Sequence, residues 1–99
     1  MADVEVSEEI KIKLTEPKKW KVVILNDDVT PIDFVIAMLM EIFNHSSENA
    51  YNITMSVHET GSGIAGVFDF EIAEIKAIES TKMARENGFP LQIKIEQSK

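Results

Sequence analysis

Residues 26–31, with the sequence Asn-Asp-Asp-Val-Thr-Pro, constrain the fold of this chain more than any other stretch. The run before them, residues 20–25, is short, apolar and β-branched, which is typical of a buried strand. The run after them, residues 32–43, is apolar and long enough to form a packed helix. The sequence therefore predicts a strand-to-helix turn that holds polar side chains at the edge of a rigid scaffold.

The start of this helix carries capping signals. Thr30 is predicted to be the N-cap, and Pro31 the first helical residue, where its missing N–H costs nothing. Asp33 would complete a capping box in its shorter, acidic form. The polar residues 26–28 could orient a ligand, but Asn and Asp also favour turns for local backbone reasons. The turn alone leaves both interpretations open.

The charge of the chain is acidic and unevenly distributed. The net charge is −7, and between residues 26 and 79 ten acidic residues accompany a single basic one, Lys76. An acidic body repels phosphate backbones, so we expect no nucleic-acid partner. It suits a cationic partner instead, such as a basic protein surface or a free amino group.

Length and composition also bear on domain organisation and location. The 99 residues suffice for one small domain, and they contain no cysteine, which favours a reducing cytoplasm. No apolar run approaches the roughly 20 residues that span a bilayer, and the acidic N-terminus lacks the order of a signal peptide. We therefore expect a cytoplasmic protein with no membrane partner.

The pattern of the chain predicts a flexible N-terminal extension at residues 1–19 and a folded core domain at residues 20–97. The core is predicted to contain a strand at 20–25, a helix at 32–43, a second helix that is capped by Ser46 or Ser47 and runs to about Glu59, a strand at 64–68, a helix at 70–87 and a strand at 91–96. This is an α+β fold of order βααβαβ. Three helices are expected to pack on a small, mostly antiparallel three-stranded sheet.

The third predicted helix has an apolar side of its own. Asp69 is predicted to cap its N-terminus. From the spacing of the apolar residues, its buried side is predicted to comprise Ile72, Ile75, Ile78 or Glu79, and Met83.

Few residues suggest catalysis or metal binding. Asn26, Asp27, Asp28 and a distant His58 could form a metal or acid–base site, but no ligand pair with metal-binding spacing accompanies them. No Ser or Thr stands in an activated context, and no glycine-rich loop precedes a helix. We therefore predict no catalytic residue, no metal and no cofactor. His58 is also explained by the preference of helix C-termini for cationic side chains.

Together, however, these features resemble one family. Residues 21–35 are similar to the strand, turn and helix start of the ClpS adaptor family. Val57-His58-Glu59 followed by Gly66-Val67-Phe68 resembles that family's central V-H…G-V-[FY] pattern. Residues 84–91, Ala-Arg-Glu-Asn-Gly-Phe-Pro-Leu, resemble its A-R-E-N-x-x-P-L ending. The resemblance covers residues 20–96.

The resemblance implies an adaptor rather than an enzyme, and we expect the chain to be a monomer. Such an adaptor binds the free N-terminal bulky hydrophobic residue (Leu, Phe, Tyr or Trp) of N-degron substrates and delivers them to a ClpA-type AAA+ unfoldase for degradation by ClpP. By resemblance, Asn26 and Asp28 accept hydrogen bonds from the substrate ammonium. Neutral His58 does so through one ring nitrogen or binds the substrate backbone, and Asp27 shapes the turn and the electrostatic field.

The side-chain pocket implied by the resemblance comprises Ile24, Thr30, Ile32, Val35, Thr54, Val57 and Leu91. Ile32 and Thr54 depart from the family, which usually has Met at the first position and commonly at the second. Ile is stiffer and β-branched, and Thr removes bulk and adds a hydroxyl. We expect a pocket of altered depth, which accepts a large aromatic more easily or tolerates Ile and Val.

The resemblance also assigns the unfoldase contact to Glu71 and Lys76, with residues 1–19 reaching into the unfoldase. Two other interpretations stay open. One is a protein–protein interaction module of the same fold, like the C-terminal domain of ribosomal stalk proteins, without N-degron recognition. The other is a small metal-dependent hydrolase that uses Asp27, Asp28 and His58.

Overall fold

The computed structural model describes residues 18–98 of the chain. Its elements are β1 (Lys19–Leu25), α1 (Ile32–Phe43), α2 (Ser47–Thr60), β2 (Ser62–Asp69), α3 (Phe70–Glu86) and β3 (Gln92–Gln97). The predicted α+β fold and its βααβαβ order are confirmed. Up to residue 17, the predicted N-terminal extension lies outside the described residues, and Lys19 already opens β1.

The sheet is antiparallel throughout and has the order β2-β1-β3. Its central strand β1 is the apolar run that the sequence singles out, and Val22 and Ile24 are fully buried. The register of β1 with β2 shifts between Val22, which faces Gly66, and Val23, which faces Ile64. This irregularity is a β-bulge, which increases the local twist of the sheet.

The core lies between the sheet and the three helices, and its buried residues come from all of these layers: Val22, Ile24, Val35, Met38, Leu39, Phe43, Ala50, Val57, Ala65, Ala73, Ala84 and Leu91. Helix α2 packs against α1 and β2. The approach to β2 is close at Gly63, where an added Cβ would lie 2.7 Å from Val57 Cγ2. The absence of a side chain at this position therefore sets how near α2 and Val57 come to the sheet.

The predicted buried side of α3 is wrong. Ile72, Ile75 and Ile78 are 44%, 51% and 61% exposed, and Met83 is half-buried. The helix instead buries its small residues, namely Ala73, Ser80 and Ala84. A helix turns by about 100° per residue, so isoleucines three apart drift around it by about 60° per step, whereas steps of seven and four stay on one face. Small residues on that face also let α3 approach the sheet closely.

The predicted N-caps of α2 and α3 differ in how they fare in the structure. Ser46, one of the two predicted caps of α2, accepts a hydrogen bond from the Asn49 N–H at 3.1 Å, which confirms that prediction. Asp69 occupies the N-cap position of α3, but its side chain makes no capping hydrogen bond. It accepts a hydrogen bond from Lys19 Nζ at 2.8 Å instead, so its predicted role as a capping side chain is wrong.

Candidate functional site

A cavity of about 210 Å³ opens where the β1–α1 turn meets the C-terminal half of α2 and the segment that leads into β3. It is lined by Asn26, Asp27, Asp28, Thr30, Ile32, Val35, Thr54, Val57, His58 and Leu91. Drug-sized ligands occupy pockets of roughly 300–1,000 Å³. The smaller volume suits one amino-acid side chain.

The lining includes all four residues that the family resemblance assigned to the substrate ammonium and six of the seven that it assigned to the side-chain pocket. The seventh, Ile24, is fully buried in the core and does not line the cavity. Glu71 and Lys76, the assigned unfoldase contacts, also lie outside the lining. Every residue that lines the cavity had already been named as a candidate site residue.

The cavity is polar at its mouth and apolar in its depth. Asn26, Asp28 and His58 are exposed to solvent. Val57 and Leu91, in contrast, are buried, with 3% and 2% of their surface exposed. This arrangement fits a ligand that is cationic or polar at one end and apolar at the other.

Asp27 organises the turn from which the mouth is built. Its Oδ1 accepts hydrogen bonds from the backbone N–H groups of Val29 and Thr30, both at 2.7 Å. Its Oδ2 accepts a third from the Thr30 hydroxyl at 2.8 Å. Such local bonds from an aspartate form an Asx-type turn. The Asn26 N–H donates to the Gly61 carbonyl at 2.9 Å, which ties the same turn to the end of α2.

This turn changes the start of α1 from the predicted one. The helix begins at Ile32, and Pro31 takes the N-cap position with the extended angles φ −67° and ψ 146° and no side-chain cap. The predictions of Thr30 as N-cap and Pro31 as first helical residue are therefore wrong by one residue. Thr30 belongs instead to the turn that Asp27 organises, where its N–H and its hydroxyl both donate to the Asp27 carboxylate, and the helix begins after Pro31.

The environment of Asp27 favours its charged form. Partial burial by itself raises the pKa of this carboxyl, but the backbone and hydroxyl hydrogen bonds from Thr30, the Val29 N–H and the positive charge of Arg85 together hold its pKa below the ordinary value. Hydrogen bonds and positive charges act in this direction because they stabilise the carboxylate and not the neutral acid.

The lowered pKa predicts how the stability of the turn depends on pH. Asp27 contributes stability above its unfolded pKa of about 3.9, and the contribution is lost as the pH falls through the lower folded value. Thermal unfolding of the unmodified chain and of Asp27→Asn between about pH 2 and pH 6 measures this contribution as the difference in stability between the two proteins. The stability difference is expected to shrink towards acid pH, and a difference that grows there would contradict the assignment. Asp33→Asn, a change on an exposed carboxylate outside the cavity, serves as the control.

The other polar groups at the mouth are left available to a ligand. Within residues 18–98, the side chains of Asn26, Asp28 and His58 take part in no hydrogen bond. His58 lies in the last turn of α2, one turn after Thr54, so the two side chains share a face of that helix. An amide oxygen, a carboxylate and an imidazole therefore converge as acceptors on one opening.

Glu71 and Lys76 lie on α3. Glu71 is exposed in the first turn of the helix. Lys76 is half-buried, and its Nζ donates a hydrogen bond of 2.6 Å to the Ile42 carbonyl near the end of α1. The Lys76 ammonium thus connects α3 to α1 and compensates one of the free carbonyls at a helix C-terminus.

Between residues 18 and 98, the structure brings together no group of three or more His, Asp or Glu side chains that could hold a metal ion. In the same part of the chain, no helix combines the length and apolarity needed to cross a bilayer.

Comparisons with known proteins converge on one family of curated relatives. The chain is 44% identical over 87 residues to the ATP-dependent Clp protease adapter protein ClpS of Treponema denticola, covering 88% of this chain and 86% of the relative. It is 45% identical over 96 residues to that of Oleidesulfovibrio alaskensis, covering 97% and 88%. The ClpS of Campylobacter jejuni is 48% identical over 88 residues, covering 86% and 88%.

A solved structure and a family model agree with these relatives. The structure of Agrobacterium tumefaciens ClpS2 bound to L-phenylalaninamide superimposes with a TM-score of 0.81 at 40% identity, covering 84% of this chain and all of that one. The family model of the ATP-dependent Clp protease adaptor protein ClpS matches residues 15–94. By that name, ClpS proteins are adaptors and not the catalytic component. This chain therefore belongs to the ClpS family of Clp protease adaptors.

Proposed function

We propose that this chain is an N-degron adaptor of the cytoplasm. As a monomer, it binds proteins whose free N-terminal residue is Leu, Phe, Tyr or Trp and delivers them to a ClpA-type AAA+ unfoldase for degradation by ClpP. The observation that carries the proposal is the cavity itself, which joins a mouth of three available acceptors to an apolar interior of single-side-chain size.

The mouth suits an α-ammonium group. An N-terminal amine has an unperturbed pKa of about 7.7–8.0, so it is mostly charged at neutral pH. The Asp28 carboxylate and the Asn26 amide oxygen accept two of its three protons, and one nitrogen of neutral His58 accepts the third or binds the substrate backbone. Charge-assisted hydrogen bonds of this kind contribute about 1.5–3 kcal/mol each.

The interior suits the first side chain. Burying a Leu or Phe side chain contributes about 1.5–3 kcal/mol. Three such hydrogen bonds and one buried side chain sum to about 6–12 kcal/mol; less the several kcal/mol that association costs, the upper end of this range corresponds to a dissociation constant of roughly micromolar order. The ligand of the Agrobacterium ClpS2 structure supports this assignment, because L-phenylalaninamide joins a free α-amine to an aromatic side chain.

Ile32 is the residue through which the entrance differs from the usual pattern. It is 38% exposed and opens helix α1 at the rim of the cavity. A β-branched side chain in a helix has one strongly preferred χ1 rotamer, so this part of the rim is stiffer than one made by Met. The proposal therefore includes a pocket that binds Leu, Phe, Tyr and Trp and, in addition, either accepts a large aromatic more easily or tolerates Ile and Val, which are the first residues to test.

Delivery requires a second surface, separate from the cavity. We assign it to Glu71 and Lys76 on α3, and to residues 1–19 at the N-terminus. The support is that both side chains lie outside the cavity lining, which leaves the site accessible when that surface is occupied. Lys76 also anchors α3 to Ile42, so its contribution to a partner contact adds to a structural one.

Fluorescence anisotropy of labelled peptides that differ only in residue one tests the proposal. Free N-terminal Leu, Phe, Tyr and Trp are expected to bind, whereas Ser is not, because it leaves the apolar interior unfilled. Acetylation of the same peptides removes the charge and is expected to abolish binding. Binding that ignores acetylation would overturn the proposal in favour of an interaction module that reads another feature.

A further inference from the structure

The hydroxyl of Thr54 lacks a partner inside the protein. Thr54 is only 2% exposed, and its Oγ1 is buried with no hydrogen bond within residues 18–98. Buried hydroxyls in native proteins nearly always have a partner, because leaving one unpaired is costly. Since Thr54 also lines the cavity, a ligand that fills the cavity can reach it.

Helix geometry offers this hydroxyl an internal partner that it does not use. A Ser or Thr within a helix can donate to the carbonyl four residues earlier. Ser80, fully buried in α3, donates in this way to the Lys76 carbonyl at 2.7 Å. Thr60 in α2 donates to the Ser56 carbonyl at 2.8 Å. Thr54 lies in the same helix as Thr60 and makes no such bond.

The position of Thr54 places its hydroxyl in the inner part of the cavity. It lies four residues before His58, which is about 6 Å along the axis of α2. His58 is exposed at the mouth, whereas Thr54 is buried. Val35, Val57 and Leu91, the lining residues of comparable burial, carry no polar side-chain atoms. The Thr54 hydroxyl is therefore a polar atom among apolar walls.

We propose that Thr54 Oγ1 hydrogen-bonds the phenol hydroxyl of an N-terminal tyrosine, so that the pocket prefers Tyr to Phe as the first residue. The inference rests on the function proposed above and adds a specificity determinant to it. Tyr and Phe fill the same space except at the ring tip, where Tyr carries an oxygen that can donate or accept. A bound Phe leaves Thr54 Oγ1 unpaired and sealed from water, whereas a bound Tyr pairs it.

Dissociation constants of two peptides that differ only in having Tyr or Phe as residue one test the proposal. In the unmodified chain, Tyr is expected to bind about three- to tenfold more tightly, the ratio that one net hydrogen bond supplies. A third peptide beginning with 4-methylphenylalanine has the length of Tyr without its hydroxyl, and it is expected to bind no more tightly than Phe.

Three variants locate the effect. Thr54→Val removes the hydroxyl and keeps the shape, so the Tyr-to-Phe ratio is expected to fall to about one while Phe still binds. Thr54→Ser keeps a hydroxyl and is expected to retain the preference. Thr60→Val removes a helical hydroxyl outside the cavity and is expected to leave the ratio unchanged.

The outcomes separate this proposal from the function on which it rests. If Thr54→Val changes the affinity for Tyr and Phe equally, Thr54 acts only through packing and the proposal is overturned, although the adaptor function stands. If Tyr and 4-methylphenylalanine bind equally well, pocket length and not hydrogen bonding sets the preference, with the same consequence. Failure of all free N-terminal peptides to bind would overturn the proposed function itself.

Discussion

Replacing Asp28 with alanine is expected to weaken binding of a peptide with a free N-terminal Leu or Phe by about 10- to 150-fold, which corresponds to the 1.5–3 kcal/mol of a charge-assisted hydrogen bond. The carboxylate lines the mouth of the cavity and makes no hydrogen bond to the rest of the described chain. Its loss therefore removes a ligand contact without removing a contact that holds the turn. Anisotropy titrations measure the affinity, and thermal unfolding is expected to show an unchanged Tm.

Two controls separate a direct contact from the general field of an acidic protein. Asp33→Ala removes an exposed carboxylate from the same helix start but outside the cavity, and it is expected to change the affinity by less than about twofold. An acetylated peptide is expected to show no measurable binding to either Asp28→Ala or the unmodified chain. Equal losses from Asp28→Ala and Asp33→Ala would mean that net charge and not contact explains the effect.

The sequence predicts the strand, turn and helix around residues 26–31 because their signals are local. Its error lies in the choice of cap. Asp27 and Thr30 both have side chains able to satisfy backbone donors, and sequence spacing gives no measure of their competition. In the structure Asp27 takes the Thr30 N–H and hydroxyl together, which leaves Pro31 at the cap position and starts the helix at Ile32.

The isoleucines of α3 show why the spacing of apolar residues failed to predict the buried face of this helix. Apolar residues are the usual signal of a buried helix face, and Ile72, Ile75 and Ile78 gave that signal. Which face is buried, however, depends on how closely the helix approaches the sheet. That distance is set here by Ala73 and Ala84, whose side chains are too small to stand out in a hydropathy pattern.

The site combines residues that are neighbours in the sequence with residues that are far apart in it, and sequence spacing can group only the neighbours. Asn26, Asp27 and Asp28 are neighbours in the chain, whereas His58 and Leu91 reach the cavity through α2 and the segment before β3. Their placement could be anticipated from the family resemblance and not from local pattern. The physical links that create it, the Asn26–Gly61 bond and the close approach at Gly63, are visible only in the folded chain.

Replacing Asp27 with alanine is expected to lower both the stability of the fold and its affinity for N-terminal peptides. The change removes three hydrogen bonds, to the Val29 N–H, the Thr30 N–H and the Thr30 hydroxyl. Because water replaces some of these bonds at a partly exposed turn, the expected loss in the free energy of unfolding is about 1–3 kcal/mol rather than their sum. Denaturant titration measures this loss.

The effect on binding is expected to be at least as large as that of Asp28→Ala, because Asp27 fixes the turn that carries both Asn26 and Asp28. Asp27→Asn provides the matched comparison. Its amide oxygen can still accept from the Val29 and Thr30 N–H groups, so it is expected to keep more of the stability and affinity than the alanine variant. If Asp27→Ala leaves both quantities unchanged, the turn is held by other contacts, such as the bond from the Asn26 N–H to Gly61. If it weakens binding without destabilising the fold, Asp27 acts on the ligand through its charge and not through the turn.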